Sequence, residues 1–318
     1  MKIPKELVSV FKKEKVFLLA THLNPDGDAI GSSLALASAL ESMGKEVHVY
    51  NKDLVPEFYG FMPGNKRFRT GLKKSLSQKP VLVLLDCNSP ERAGLEQYSF
   101  RMSVVIDHHG TERDFGDIRW VVPSAAATGL MVFYLIKAMG VRVTRDMAIN
   151  LYTAVAVDTG TFRYSNTSPV VLRASAELIE AGADPAFISE CLYERWEKNR
   201  FDLLVMTLKN LEIKSGVAVM HITKNMFEKT GTMPEDTENF SNLPRMIKSV
   251  KIAALFRDMG NGFWKASLRS KGNVNVAKIA ELYGGGGHKN AAGFKIKGSL
   301  KSVIEKLLLA MKKSDRNC

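Results

Sequence analysis

Cysteine is scarce in this chain: only Cys87, Cys191 and Cys318 occur among 318 residues, widely spaced and without a Cys-x-x-Cys pair. That excludes a disulfide framework and a thiolate zinc site, and it suits a reducing compartment. Long apolar runs are missing too. Stretches such as Val81 to Leu85 and Leu307 to Ala310 fall far short of the ~20 residues that cross a bilayer. No membrane span is expected. Nor does the N-terminus read as a leader, because Lys12, Lys13, Glu14 and Lys15 interrupt it before any adequate apolar stretch and no small-residue cleavage pattern follows. A cytoplasmic location is the expectation.

Acidic residues are short in one region only. Residues 200 to 318 hold 10 Asp+Glu against 21 Lys+Arg, whereas residues 1 to 199 hold 23 against 24, so +11 of the net +12 lies in the last third. A basic C-terminal part would attract a polyanion, and a near-neutral N-terminal part can devote its carboxylates to cations. A solubilising lysine surface is the plainer reading of the same numbers. An aromatic-rich platform for stacking single strands is also missing, which argues against a pure nucleic-acid-binding module.

What is present is a substantial hydrophobic fraction, 45%, and a length that suits two domains. The first two-thirds alternate strand-like runs (Val16 to Thr21, Val47 to Tyr50, Val81 to Leu85, Val104 to Ile106) with helical patterns at Ile30 to Met43, Thr128 to Met139, Ala148 to Val157 and Val170 to Ile179. Gly44, Gly140 and Gly182 stand where helix C-caps belong. This rhythm predicts an α/β domain with a mainly parallel sheet. Between Pro185 and Leu211 a helical spacing runs on without internal Gly or Pro, and it reads as the link to a second part. There, Val217 to Ile222, Lys251 to Phe256 and Trp264 to Leu268 are strand-like, and Val303 to Met311 is an amphipathic helix. The expected organisation is a catalytic domain over 1–188, a helical linker over 189–212 and a smaller α/β substrate-binding domain over 213–318.

The chemistry gathers at the ends of these elements. After the first strand the chain reads Thr21-His22-Leu23-Asn24-Pro25-Asp26-Gly27-Asp28, and open α/β sheets bind ligands at such strand ends. Pro25 and Gly27 enforce a turn that can direct Asp26 and Asp28 to one side; a Pro-Asp-Gly-Asp turn with a helix-capping aspartate is the plainer alternative. The run 81–85 ends in Asp86, the run 104–106 ends in Asp107-His108-His109, and the helical run 148–157 ends in Asp158. Each has its own structural explanation, as a loop cap, as surface histidines or as a helix-end polar residue. Four apolar elements that all deliver Asp or His at the same kind of end are harder to explain singly. A donor set of carboxylates with one imidazole per ion suits Mn²⁺ or Mg²⁺, with Co²⁺ also compatible. Two such cations would activate water and clamp a phosphate, which predicts phosphoester hydrolysis.

The blocks His22-x-x-x-Asp26-x-Asp28, Asp86, Asp107-His108-His109 and Asp158 resemble, in order and spacing, the four motifs of the DHH phosphoesterase superfamily. Gly284-Gly285-Gly286-Gly287-His288, followed by Ala291-Ala292-Gly293, is similar to the signature of the DHH-associated substrate domain. The resemblance covers nearly the whole chain. It implies one metal on His22, Asp26 and Asp86, a second on Asp28, Asp86, His108 and Asp158, and Asp86 as the bridge. Asp107, His108 and His109 form the catalytic block, in which Asp107 would orient a neighbouring histidine or serve as a buried structural carboxylate, and His109 would face the substrate phosphate.

Four consecutive glycines let backbone N–H groups converge on an anion. Gly285, Gly286, Gly287 and His288 are therefore expected to meet a phosphate or terminal nucleotide, with Arg269 as a second contact by the same resemblance. Arg163 would reach the substrate or form a salt bridge. His48 and His221 sit inside strand-like runs, as packing or surface residues. Within the superfamily, the simple two-domain form resembles enzymes that degrade very short RNA to mononucleotides and remove a phosphate from 3′-phosphoadenosine 5′-phosphate. Expected partners are short RNA or DNA oligonucleotides and small phosphorylated nucleotides, with no membrane and with a homodimer allowed. The alternatives are a cyclic di-AMP or pApA phosphodiesterase and a non-catalytic nucleic-acid-binding module. Closure of the two domains around substrate is a further expectation.

Overall fold

The structure is a computed structural model that describes residues 1–72, 79–110 and 114–315; Cys318 lies outside them. The chain divides into two compact units, Met1–Arg195 and Trp196–Cys318. The first contains α1 (Lys5–Lys13), β1 (Val16–Ala20), α2 (Gly27–Ser42), β2 (Glu46–Tyr50), β3 (Phe68–Arg69), β4 (Val81–Leu85), β5 (Met102–Asp107), β6 (Ile118–Val121), α3 (Thr128–Met139), α4 (Arg145–Asp158), α5 (Pro169–Glu180) and α6 (Pro185–Tyr193).

Its sheet runs β3-β2-β1-β4-β5-β6, and every strand pair is parallel. The order reverses direction between β1 and β4, and at such a switch point the carboxyl ends of neighbouring strands open a crevice for ligands. β1 and β4 are buried along their whole length, as strands covered on both faces must be, which explains their unbroken apolar runs. Phe17, Leu19, Val83 and Ile106 pack toward the helices, in one core with Leu34, Met131 and Leu151. Leu18, Leu82, Leu84 and Val105 point the other way, onto the loop residues Cys87, Ala93 and Leu95.

The second unit contains α7 (Lys198–Lys209), β7 (Glu212–Lys214), β8 (Val217–Ile222), α8 (Lys224–Thr230), β9 (Ile252–Gly260), β10 (Phe263–Ser270), α9 (Val276–Glu281), β11 (Gly286–His288), β12 (Ala291–Lys297) and α10 (Leu300–Asp315). Its sheet has the order β11-β12-β10-β9-β8-β7. It is mixed, with β8 and β9 parallel and the other pairs antiparallel. One face packs Trp264, Leu268, Phe294 and Ile296 against Ile279, Val303 and Leu307.

The helical spacing expected to run from 185 to 211 is two helices. α6 ends with its C-cap at Glu194 in a non-helical conformation, and α7 starts from an extended N-cap at Glu197. Leu203 and Leu204 of α7 pack with Met220, Ile222, Phe240 and Leu255, so α7, which lies within the stretch expected as a linker, packs into the second unit. The break carries no Gly or Pro because tertiary anchoring makes it: the Trp196 ring lies 5.9 Å from Phe240 and 3.9 Å from the Arg200 guanidinium. No helix among the described residues is long and apolar enough to cross a membrane.

Candidate metal centre

The switch point brings the C-terminal ends of β1, β4 and β5 side by side. His22 follows β1, and its turn is pinned from three directions: its carbonyl accepts Asn51 Nδ2–H at 2.7 Å, Leu23 N–H donates to the Arg92 carbonyl, and Asn24 N–H donates to Asp53 Oδ2 at 2.7 Å. The chain then enters α2. Asp26 is the N-cap of that helix, accepting the N–H groups of Asp28 and Ala29 at 3.0 Å each. The capping alternative and a place in the acidic cluster are therefore both realised by one carboxylate.

Asp28 sits in the first turn of α2 and is fully buried. Its oxygens accept the backbone N–H groups of Thr128 and Gly129, at 2.7 Å each, from the N-terminus of α3, where the helix dipole also favours negative charge. The approach requires glycine: a Cβ on Gly129 would stand 2.4 Å from Ala154 Cβ and 3.2 Å from Asp28 Oδ1.

Asp86 terminates β4 with φ +56, a left-handed conformation that Asp tolerates better than most residues but that still costs of order 1 kcal/mol. The Ile106 carbonyl holds its N–H at 3.0 Å. Its two oxygens face different partners: Oδ2 lies 3.3 Å from His22 Nε2, while Oδ1 lies 3.3 Å from His108 Nε2 and 3.5 Å from His109 Nδ1. Thr128 Oγ1–H also donates to Oδ1 at 3.0 Å.

His108 reaches three carboxylates through one nitrogen, with Nε2 3.0 Å from Asp158 Oδ2 and 3.5 Å from Asp28 Oδ2 besides Asp86. Asp158 is the last residue of α4, and Asn166 ties its carbonyl to that of Ala126. Asp107 accepts both the N–H and the Nδ1–H of His109, at 3.1 and 2.7 Å. Three groups of potential ligand atoms result: His22, Asp26 and Asp86; Asp28, His108 and Asp158; and Asp86, His108 and His109.

Electrostatics give this cluster a need for cations. Burial, reinforced by the charges of Asp86 and Asp158, pushes the Asp28 carboxyl well above the carboxylate range, and burial also raises Asp158. For Asp86 burial acts in the same direction, yet His109, His108 and His22 outweigh it and hold that carboxyl well below its usual value. Burial would lower His22, but Asp86 and Asp26 carry it up to about 9; His108 is raised in the same way by Asp158 and Asp86.

The tautomers sharpen the point. His22 Nδ1 meets the Leu23 carbonyl at 2.9 Å and His108 Nδ1 meets the Ala125 carbonyl at 3.1 Å, and a carbonyl can only accept. Each Nδ1 therefore carries a proton, and in the neutral imidazole each Nε2 is a lone pair facing carboxylates. Such a pair of acceptors is stable only with a proton or a metal ion between them. The donor set thus fits divalent cations of the hard or borderline kind.

Of the residues expected to carry function, His22, Asp26, Asp28, Asp86, Asp107, His108, His109 and Asp158 are together here. Thr128, Gly129, Asn51 and Asn166 were not foreseen; the helix-start position of Thr128-Gly129 was the one local signal. Arg163, expected at the substrate or in a salt bridge, is exposed, and its Nε donates to the Gly160 carbonyl at 2.7 Å. It follows three residues in left-handed conformation, Gly160, Thr161 and Phe162. Arg269 lies on β10 in the second unit, with Nη1 donating to the Leu268 carbonyl at 3.1 Å.

The glycine run is part loop and part strand. A Cβ on Gly285 would stand 2.1 Å from the Gly293 carbonyl, and one on Gly287 2.4 Å from that of Ala291, while nothing lies within 4 Å of a Cβ on Gly286. Two of the glycines expected at the anion are thus required by packing on β12. The side chain of His288 lies outside what the structure describes.

Residues 16–157 match the N-terminal domain of the DHH family, and residues 195–314 match the DHHA1 domain. The bifunctional oligoribonuclease and PAP phosphatase NrnA of Thermus thermophilus is 37% identical over 92% of this chain and 88% of its own length. This chain belongs to the DHH phosphoesterase family. An exopolyphosphatase-related protein from Bacteroides fragilis superposes with a TM-score of 0.86 at 29% identity, over 97% of this chain and 95% of that one. The manganese complex of RecJ from Thermus thermophilus shares the fold at 15% identity, with a TM-score of 0.52 over 98% of this chain and 54% of its own. Family membership confirms the resemblance drawn from the motifs and the α/β class drawn from the strand rhythm.

Proposed function

We propose that this DHH-family chain hydrolyses phosphoester bonds in short RNA oligonucleotides, releasing mononucleotides, and removes a phosphate from 3′-phosphoadenosine 5′-phosphate, with two divalent cations. The observation that carries this reading is the division of Asp86, whose Oδ2 faces His22 while Oδ1 faces His108. One ion would take His22, Asp26 and Asp86; the other would take Asp28, Asp86, His108 and Asp158. Mn²⁺ is the preferred ion, by the donor set, with Mg²⁺ and Co²⁺ as alternatives. Bound there, the ions would lower the pKa of a water and neutralise charge on the phosphate.

The protein's own groups have separate tasks. Thr128 and the Gly129 N–H would hold the Asp28 and Asp86 carboxylates in place, so little reorganisation is needed when ions enter. Asp107 would orient His109 through its Nδ1–H and so present the ring to a substrate phosphate. Arg269 and Gly286 in the second unit would contact a substrate phosphate, and the basic character of residues 200–318 suits a ligand with several phosphates. The substrate class is supported by the NrnA relative.

The test is hydrolysis by the purified protein, with Mn²⁺, of RNA 2-mers to 20-mers, 3′-phosphoadenosine 5′-phosphate, cyclic di-AMP, pApA and pyrophosphate. Turnover of the shortest RNAs and of the bisphosphate is expected. Preference for cyclic di-AMP would reverse the substrate assignment, and no turnover of any compound would end the enzymatic reading. Asp86→Ala should lower kcat roughly a thousandfold or more, since several kcal/mol of charge stabilisation depend on the ions; activity that survives it refutes the bridge.

A further inference from the structure

The sheet of the second unit has one half-face that neither hydrophobic core uses. Alternation along β10 turns Trp264, Ala266 and Leu268 into the core and puts Lys265, Ser267 and Arg269 on the opposite face. On β9 that opposite face is covered at Leu255 by Leu203 and Leu204 of α7. Farther along the sheet, on β10 and β12, it carries cations. Lys265 is directly opposite Arg257 of β9 on one side and Lys295 of β12 on the other.

Like charges in direct cross-strand register are destabilising, so a row of three needs a reason. Arg257 is committed locally, since its Nη1 donates to the Pro234 carbonyl and to Thr237 Oγ1. Among the described residues, neither Lys265 nor Lys295 has a hydrogen bond or ion pair from its side chain. Both line a cavity of about 300 Å³ with Tyr283, Gly284, Gly293 and Phe294. Burial lowers the Lys265 ammonium from its ordinary value; Arg257 and Lys295 act in the same direction, and the charges of Glu238 and Glu235 offset them only in part, so a bound anion would relieve the remaining repulsion.

From this geometry we infer that Lys265 and Lys295 form an anion subsite for an internucleotide phosphate of an oligonucleotide substrate, separate from the contact at Arg269. Lys265 and Arg269 are four residues apart on one strand, ~13 Å between Cα atoms at the usual rise, so side chains standing straight off the sheet would meet different phosphates. The lysine pair therefore selects oligonucleotides over mononucleotides. This deepens the proposed function and rests on it for the identity of the ligand.

The test uses the full chain carrying Lys265→Gln and Lys295→Gln together, with a fluorescein-labelled RNA 5-mer as probe. In metal-free buffer the Kd for the 5-mer should rise about tenfold, and the slope of log Kd against log salt should flatten by about 0.7, one single-strand phosphate contact. With Mn²⁺, KM for the 5-mer should rise likewise at unchanged kcat, while KM for 3′-phosphoadenosine 5′-phosphate stays within about twofold. The double Lys→Arg variant should behave as wild type. The double Gln variant should also melt no lower than wild type, because it removes repulsion. An unchanged 5-mer Kd, an equal loss on the bisphosphate, a lowered melting temperature or no binding by the wild type overturns the subsite. Lysine-dependent 5-mer binding without any hydrolysis upholds the subsite and refutes the proposed reaction.

Discussion

Asp28 Oδ2 accepts the backbone N–H of Thr128 at 2.7 Å, across 100 residues of chain. The bond joins the first turn of α2 to the N-terminus of α3, and the Thr128 hydroxyl extends the link to Asp86. Two carboxylates of the cluster are thus positioned by one residue that would itself touch no metal.

Thr128→Val separates these links, because it keeps the N–H on Asp28 and deletes the hydroxyl on Asp86. Its effect should be a 10- to 100-fold loss of Mn²⁺ affinity, the usual range for groups that orient ligands, with a melting temperature near wild type. Gly129→Ala attacks the other link: with Ala154 Cβ at 2.4 Å from the new methyl, overpacking should destabilise the fold by about 1–3 kcal/mol. Calorimetric metal titration and denaturant melts measure the two; undiminished affinity in Thr128→Val would remove its positioning role.

The pH dependence follows from His22, raised from 6.5 to about 9. In metal-free protein its imidazolium pairs with Asp86, so that contribution to stability is fully present below about pH 6.5 and is lost as pH rises through about 9. Metal binding has the opposite sign, since the ion must displace the proton from Nε2. Apparent Mn²⁺ affinity should climb between pH 7 and 9 and then flatten. His22→Gln should weaken binding and reduce both slopes; slopes identical to wild type would assign the titration to another group.

Gly285→Ala and Gly286→Ala distinguish packing from ligand contact in the glycine run. The first places a methyl 2.1 Å from the Gly293 carbonyl, whereas the second meets nothing within 4 Å. Gly285→Ala should lower the melting temperature of the second unit. Gly286→Ala should melt as wild type and raise KM for substrate without changing kcat. If Gly286→Ala leaves KM untouched, the open side of the loop is not where substrate approaches.

Much of the fold was legible because its signals are local. β1 and β4 announce themselves as short apolar runs, and the glycines after α2, α3 and α5 stand in left-handed conformation as helix stops do. α1 and β6 were passed over, the first in a lysine-rich segment and the second in only four residues. The break between α6 and α7 was invisible because packing of Trp196 and Leu203 marks it, without a helix-breaking residue.

The same division holds at the site. Which residues are chemically able to hold cations was readable in the sequence, since Asp and His at the ends of apolar elements are costly to bury without a counter-charge. Their meeting depends on the strand order that sets β1 beside β4, and their electrostatics depend on shared burial. The roles of Thr128, Asn51 and Asn166, the opposed facing of the two Asp86 oxygens and the cross-strand register of Lys265 and Lys295 belong to tertiary structure alone. Hydrogen bonds and charge pairs across tens of residues leave no periodicity in a chain; only its folding brings such groups within reach.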